Sequence, residues 1–154
     1  MRQWRRGARL GVDVGKVRVG VAICDTDGIL ATPLVTLARD MTTESSDPPP
    51  DDVRRIAALV TEHGVLDVVV GLPRTLGGAE GLAAQDARAY AERLKAAIAP
   101  VPVWLADERM STVVASRRLA ERGVRGRRHR AVVDQVAAAE ILQGWLDGQR
   151  RQTR

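Results

Sequence analysis

Three apolar runs near the start of the chain follow one another so closely that only one arrangement can accommodate them. ARLGVDVG (8–15) and VRVGVAIC (17–24) are separated by little more than Gly15 and Lys16. The turn residues Asp25, Thr26, Asp27 and Gly28 then lead into ILATPLVTL (29–37). Connections this short join antiparallel neighbours, because a parallel partner needs a crossover of a dozen residues or more. The chain therefore opens with a three-stranded meander. The segment RDMTTESSDPPP (39–50) is polar and ends in three prolines, which reads as a surface loop.

From Asp51 the period changes. Val53, Ile56, Ala57 and Val60 recur on one helical face, Asp51 and Asp52 occupy the first turn, and Gly64 is the expected stop. LDVVVGLP (66–73) is a continuous apolar run, as expected of a strand covered on both faces. After the glycine-rich RTLGGAEG comes an alanine-rich helix over about 82–98, and VPVWLA (101–106) reads as another buried strand. Ser111 is placed to cap a helix TVVASRRLAERG ending at Gly123. A basic link (124–130) precedes a last helix, AVVDQVAAAEILQGWL (131–146), and the tail after Asp147 is expected to fray. A meander followed by alternating helix and strand argues for an α/β domain, a mixed sheet with helices on its faces. We expect one domain over 1–154, with its core at about 8–146, preceded by a basic leader.

Composition limits the alternatives. At 154 residues, 45% hydrophobic and 28% charged, the chain is long enough to bury one core and is neither disordered nor membrane-like. The single cysteine, Cys24, excludes an internal disulfide framework and a multi-cysteine zinc site, and His63 and His129 are too far apart to suggest a metal cluster of their own. No apolar run approaches the roughly 20 residues that cross a bilayer, so no membrane partner and a cytoplasmic location are expected. The net charge of +5 suggests a polyanionic partner, although arginine with abundant alanine equally suits a GC-rich genome.

Three separated carboxylates carry the chemistry. Asp13 interrupts an apolar strand and lies on the face opposite Val12 and Val14, a costly position unless the acid is at a strand end, paired or metal-bound. Steps of 100° put Trp145, Ala138 and Ile141 within about 40° of Asp134, so an acid stands at the centre of an inward face. A first-turn acid complementing the helix dipole would explain its turn but not its face. Asp107 and Glu108 directly follow a strand, and only one of them can point to the side of Asp13; periodicity does not choose. Such hard oxygen ligands suit Mg²⁺ or Mn²⁺. Two ions about 4 Å apart can activate water and stabilise the leaving oxygen of an in-line displacement at phosphorus.

Taken in order, GVDVGKVRVGVAICD (11–25), VVVGLP (68–73) with GGAEG, DERMST (107–112) and VDQVAAAEILQGWL (133–146) resemble the YqgF/RuvX family. Its members are RNase H-like proteins described as Holliday junction resolvases and pre-16S rRNA processing nucleases. The resemblance implies an RNase H-like fold: a five-stranded mixed sheet, the first three strands antiparallel, with helices on both faces. It also implies that Asp13, Glu108 and Asp134 are the metal-binding, catalytic acids, choosing Glu108 over Asp107, with two ions completed by substrate. Gly15 would keep the backbone open beside the scissile phosphate. Lys16, Arg18 and Arg109 match basic positions of the family and would touch phosphate, or be ordinary surface charges or structural ion pairs, a reading at least as apt for Arg18. Ser111-Thr112 stands where the family usually has two threonines, and the triple-proline loop is not part of its pattern.

The basic stretch with Arg125, Arg127, Arg128 and Arg130 leads straight into Asp134 and could hold nucleic acid by its phosphates, or be no more than a solvated link. With 3% aromatic residues and no phenylalanine, base stacking on a single strand is not expected. The partner is then branched DNA or precursor rRNA, and a homodimer would suit a two-fold symmetric junction. Two other readings compete. GVDVGKVRVG also resembles the phosphate-gripping hairpin of actin-like ATPases, of which this chain would be half a module, and a non-catalytic nucleic-acid-binding protein would use its acids structurally.

Overall fold

The computed structural model describes residues 4–41, 49–73, 80–108 and 127–153. Five strands form one sheet: β1 (Arg9–Val14), β2 (Arg18–Cys24), β3 (Ala31–Ala38), β4 (Asp67–Pro73) and β5 (Val103–Glu108). Their order is β3-β2-β1-β4-β5. The meander pairs antiparallel, β4 joins β1 in parallel and β5 joins β4 in parallel. Helices α1 (Asp51–His63) and α2 (Leu82–Ile98) cover one face of the sheet, and α3 (Arg127–Thr153) crosses the other. This is the mixed sheet with helices on both faces that the sequence led us to expect. None of the described helices is long and apolar enough to cross a membrane.

Alternation decides what each face receives. Leu10, Val12, Val19, Val21, Val68 and Val70 point toward α1 and α2, where Val53, Ile56, Tyr90 and Leu94 complete the main core. The opposite face carries Cys24, Ala31 and Val69, against Ile141, Leu142 and Leu146 of α3. Val68 to Val70 are wholly buried, as a strand covered on both sides requires. Pro33 lies in β3, an edge strand, where a residue with no N–H costs the ladder least. Gly28 closes the β2–β3 turn at φ +67, and Gly64 ends α1 at φ +60, both left-handed conformations that suit glycine.

Two expectations need correction. The run at 101–106 is not a buried strand: β5 is the other edge of the sheet, and Trp104 and Leu105 are more than a third exposed. Apolarity alone does not separate an edge strand with one partner from a central one. The C-terminal helix is also longer than its apolar period, beginning at Arg127 within the basic link and running to Thr153 instead of fraying after Asp147. Its last turns are tied down by side chains. Gln143 accepts from the Ala31 N–H and donates to the Ile29 carbonyl and to Asp147, while Arg150 donates to Asp147 and to the same Ile29 carbonyl. The expected helix over 112–123 and most of the polar 39–50 segment lie outside the described residues.

A buried polar knot joins α1, α2 and the end of β3. Tyr90 Oη donates to Asp52 Oδ2 at 2.6 Å, and the Asp40 N–H donates to Asp52 Oδ1 at 3.0 Å. Arg39 forks onto both carboxylate oxygens of Asp86 and also donates to the Gly15 carbonyl. Burial, with the Asp52 hydrogen bond second, pushes the Tyr90 phenol far above its ordinary range. A group whose folded-state pKa is raised contributes stability below its unfolded pKa and loses it as pH rises. Tyr90→Phe should therefore cost about 1–3 kcal/mol in urea denaturation at neutral pH, because a buried carboxylate loses its donor. The gap between wild type and variant should close as pH climbs past about 10; a gap unchanged up to pH 11 would contradict this account.

Candidate functional site

Asp13 and Gly20 are cross-strand partners in the β1–β2 ladder, so they share a face of the sheet. Which face is fixed by the glycine: a Cβ on Gly20 would lie 2.1 Å from the Asp134 carbonyl oxygen and 3.1 Å from the Asp134 Cβ. Gly11, two residues before Asp13, would likewise meet the Ala138 carbonyl oxygen at 2.6 Å and Leu142 Cβ at 2.7 Å. Asp13 therefore looks toward α3, at the level where Asp134 comes down onto the sheet. Both acids are 3% exposed. Asp134 lies nearly two turns past the start of α3, beyond reach of a first-turn dipole role, and Ala137, Ala138 and Ile141 are buried with it.

Glu108 reaches the same face from β5. The register sets Ala106 beside Gly71 and Glu108 beside Pro73, and strand alternation puts Glu108 on the side of Ala106, which packs against the α3 cluster. Asp107 takes the other side, is exposed, and lies close enough to Arg88 of α2 to influence it electrostatically. The ambiguity between the two acids thus has a structural answer: it is Glu108 that shares a face with Asp13. The side chain of Glu108 leans back over Gly71, with Oε2 3.1 Å from where a Cβ would stand, and its Oε1 is shielded from solvent. Gly71 leaves the space through which an acid on the edge strand can approach the central one.

A cation already attends this face. Arg18, two residues before Gly20 on β2 and so on the same side, donates from Nε to Asp134 Oδ2 at 2.6 Å. Its side chain is 24% exposed and that of Asp134 5%. Sequence reasoning set Arg18 among residues that touch phosphate but did not give it this partner. Among the described residues no three His, Cys, Asp or Glu side chains stand grouped to hold a metal ion. The acids share a face without forming a closed cage. The donors on this face are carboxylates, the ligand type that hard cations take, borne by β1, β5 and α3.

The other basic residues fall differently. Lys16 is exposed in the β1–β2 hairpin, and Arg130 is half-buried one turn ahead of Asp134 on the same side of α3. Arg127 and Arg128 lie in the first turn of α3, where their backbone alone is described; Arg109, Arg125 and the Ser111-Thr112 pair are outside the described residues. Gly15 has a plain structural duty, for its N–H donates to the Arg18 carbonyl and a Cβ there would come within 2.8 Å of that oxygen.

A cavity of about 380 Å³ lies at the other end of the sheet, bordered by Trp4, Arg9, Asp67, Pro102 and Trp145. Arg9 is four residues back along β1 from Asp13, about 13 Å away at strand rise. Its guanidinium is engaged by Asp67 Oδ2, by the carbonyls of Arg5 and Gly7 and by the Trp4 ring. This hollow is thus built around a satisfied ion pair, and the acids lie elsewhere.

Comparison with known proteins gives a consistent answer. Residues 7–148 match the RuvX family, described as Holliday junction resolvase. A protein of Mycolicibacterium smegmatis named "Putative pre-16S rRNA nuclease" is 57% identical over 145 residues, covering 94% of this chain and 83% of its own. A protein of the same name from Rhodococcus erythropolis is 52% identical over 146 residues, covering 95% of this chain and 81% of its own. Among solved structures, Thermus thermophilus RuvC superposes with a TM-score of 0.51 at 14% identity over 94% of this chain and 96% of that one. The same protein in complex with Holliday junction substrate gives 0.50 at 16% identity over the same shares. At that identity the likeness speaks for the fold, an RNase H-like one.

The close seating of α3 makes a direct prediction. Gly20→Ala would drive a methyl into the Asp134 backbone, so it should lower stability by about 1–3 kcal/mol, the usual cost of overpacking. Denaturant titration of the variant against wild type measures this, and a neutral substitution would mean that α3 sits further from β2 than described.

Proposed function

This chain belongs to the RuvX family of Holliday junction resolvases, and from that membership we propose that it is a metal-dependent nuclease acting through Asp13, Glu108 and Asp134. The observation that carries the reading is that a central strand, an edge strand and a helix turn one carboxylate each toward the same face of the sheet. Mg²⁺ or Mn²⁺, when bound there as one or two ions completed by substrate, would supply the charge that activates a water and steadies the leaving oxygen. The chain's own part is geometry. Asp13 is fixed by its ladder partner Gly20 and by Val12 before it, which pairs with Val70 of β4, and Asp134 is fixed by a helix pressed onto Gly20 and Gly11.

The phosphate backbone would be held by positive charge around this face. Lys16 projects from the hairpin and Arg130 precedes Asp134 by one turn, with Arg18, Arg109, Arg125, Arg127 and Arg128 assigned to the same duty. Such contacts position a nucleic acid without reading its sequence. We take precursor 16S rRNA as the substrate, on the strength of relatives more than 50% identical that carry that name. The family description favours a second substrate, the four-way DNA junction. A two-fold dimer would match the symmetry of that junction.

Wild type and Asp13→Asn should be compared on labelled precursor rRNA and on four-way junctions, each with Mg²⁺, with Mn²⁺ and after chelation. The expected result is metal-dependent cutting of the precursor that chelation abolishes and the substitution reduces at least about a hundredfold, the scale on which lost transition-state charge stabilisation acts. Cutting of the junction alone would move the assignment to DNA. Binding without cutting by wild type under either metal would overturn the nuclease reading in favour of a binding protein.

A further inference from the structure

We propose that Arg18 is a place-holding cation that occupies Asp134 until metal arrives and gives up that carboxylate when it does. The inference rests on the reading of Asp13, Glu108 and Asp134 as metal-binding acids, and it assigns Arg18 a role distinct from that of a phosphate contact.

Two carboxylates of one sign, Asp13 and Asp134, are almost fully buried on one face of the sheet, Asp13 paired across the ladder with Gly20 and Asp134 seated on that glycine. Buried like charges require a compensating positive group. For Asp134, Arg18 supplies one, with a short, charge-assisted contact from Nε to Asp134 Oδ2. That oxygen is on the side of Asp134 facing β2. The same acid therefore cannot offer Oδ2 to a cation while the contact lasts, which accords with the absence of a ready three-ligand group among the described residues.

The exchange is feasible because of where each partner is anchored. Asp134 is held by α3, whose backbone rests on Gly20, so its position does not depend on Arg18. Arg18 is the first residue of β2 beside the hairpin, and its side chain is a quarter exposed, so its guanidinium has an open path to solvent. A divalent ion brings two positive charges to Asp134 and displaces one. The released guanidinium is then left beside the metal, where a substrate phosphate would lie. Arg18 is thus a positioning residue that neutralises Asp134 before metal binds and becomes available for substrate only once metal is bound.

Mn²⁺ binding to the full chain, measured by calorimetry without nucleic acid, tests the exchange. Arg18→Met removes the competing charge and keeps most of the apolar stem, so its Mn²⁺ affinity should rise about tenfold over wild type, on the scale of one hydrogen bond to a charged group. Asp134→Asn should lower affinity. In the wild type, NMR of the Arg18 Nε–H should show slow solvent exchange without metal and fast exchange as Mg²⁺ saturates, with a midpoint matching the binding isotherm. This second measurement stands even if Arg18→Met does not fold. An Arg18 Nε–H that stays protected at saturating Mg²⁺, or Mn²⁺ affinity that is unchanged or weaker in Arg18→Met while Asp134→Asn loses it, would overturn the place-holder and leave the metal site intact. Wild-type affinity retained in both Asp13→Asn and Asp134→Asn would overturn the metal site and the place-holder together.

Discussion

The structure depends on how closely α3 can approach the sheet. Gly11, Gly20 and Gly71, on β1, β2 and β4, present bare backbone to the helix, and a single methyl at any of them would fall within 2.6 Å of a helix atom. The helix answers with small residues, Ala137 and Ala138, at its buried centre. Close packing without a side-chain layer strengthens dispersion contacts and leaves little room for adjustment. It also brings a helix-borne acid down to the level of a strand-borne one. Asp134 can come down beside the cross-strand partner of Asp13 because that partner, Gly20, has no side chain.

Charge is distributed with similar economy. Of the five buried charged residues among those described, Arg9 and Asp67 satisfy one another at one end of the sheet, and Asp52 is held by Tyr90 and by the Asp40 N–H within the α1–α2 layer. Asp13 and Asp134 lie on the same face, and Arg18 is paired with Asp134. The Arg9–Asp67 pair is built into paired strands and closed off by Trp104, which donates to the second oxygen of Asp67. Arg18 reaches its acid from the start of a strand with solvent beside it. The two ion pairs share chemistry and differ in freedom, and that difference separates a structural pair from one that can open.

Much of this could be read from residues alone, and the gaps have physical causes. The meander followed from connection length, since Gly15 and Lys16 leave room for nothing but a hairpin. The inward direction of Asp134 followed from helical period, which is local and survives a shift in where the helix begins. Asp107 and Glu108 could not be separated in the same way, because that depends on how β5 aligns with β4, a register set by pairing between distant segments. The partner of Arg18 was equally hidden, lying 116 residues further along the chain. The edge position of β5 and the docked end of α3 were missed for a related reason: each depends on what the rest of the fold places beside it, not on its own apolar pattern.

The acids also differ in how firmly they are held. Asp13 lies on β1, which has a strand on either side; Glu108 is the last residue of β5, bonded in the sheet to β4 alone. A strand clamped on two sides resists displacement, whereas the end of an edge strand can bend away from its neighbour at little cost. One wall of the site is therefore stiff and the other compliant. If the acids act as proposed, Glu108 would follow the contour of the backbone laid across the face while Asp13 and the helix keep the reference frame, and tolerance for substrates of different shape would arise at the sheet's free margin instead of at its centre.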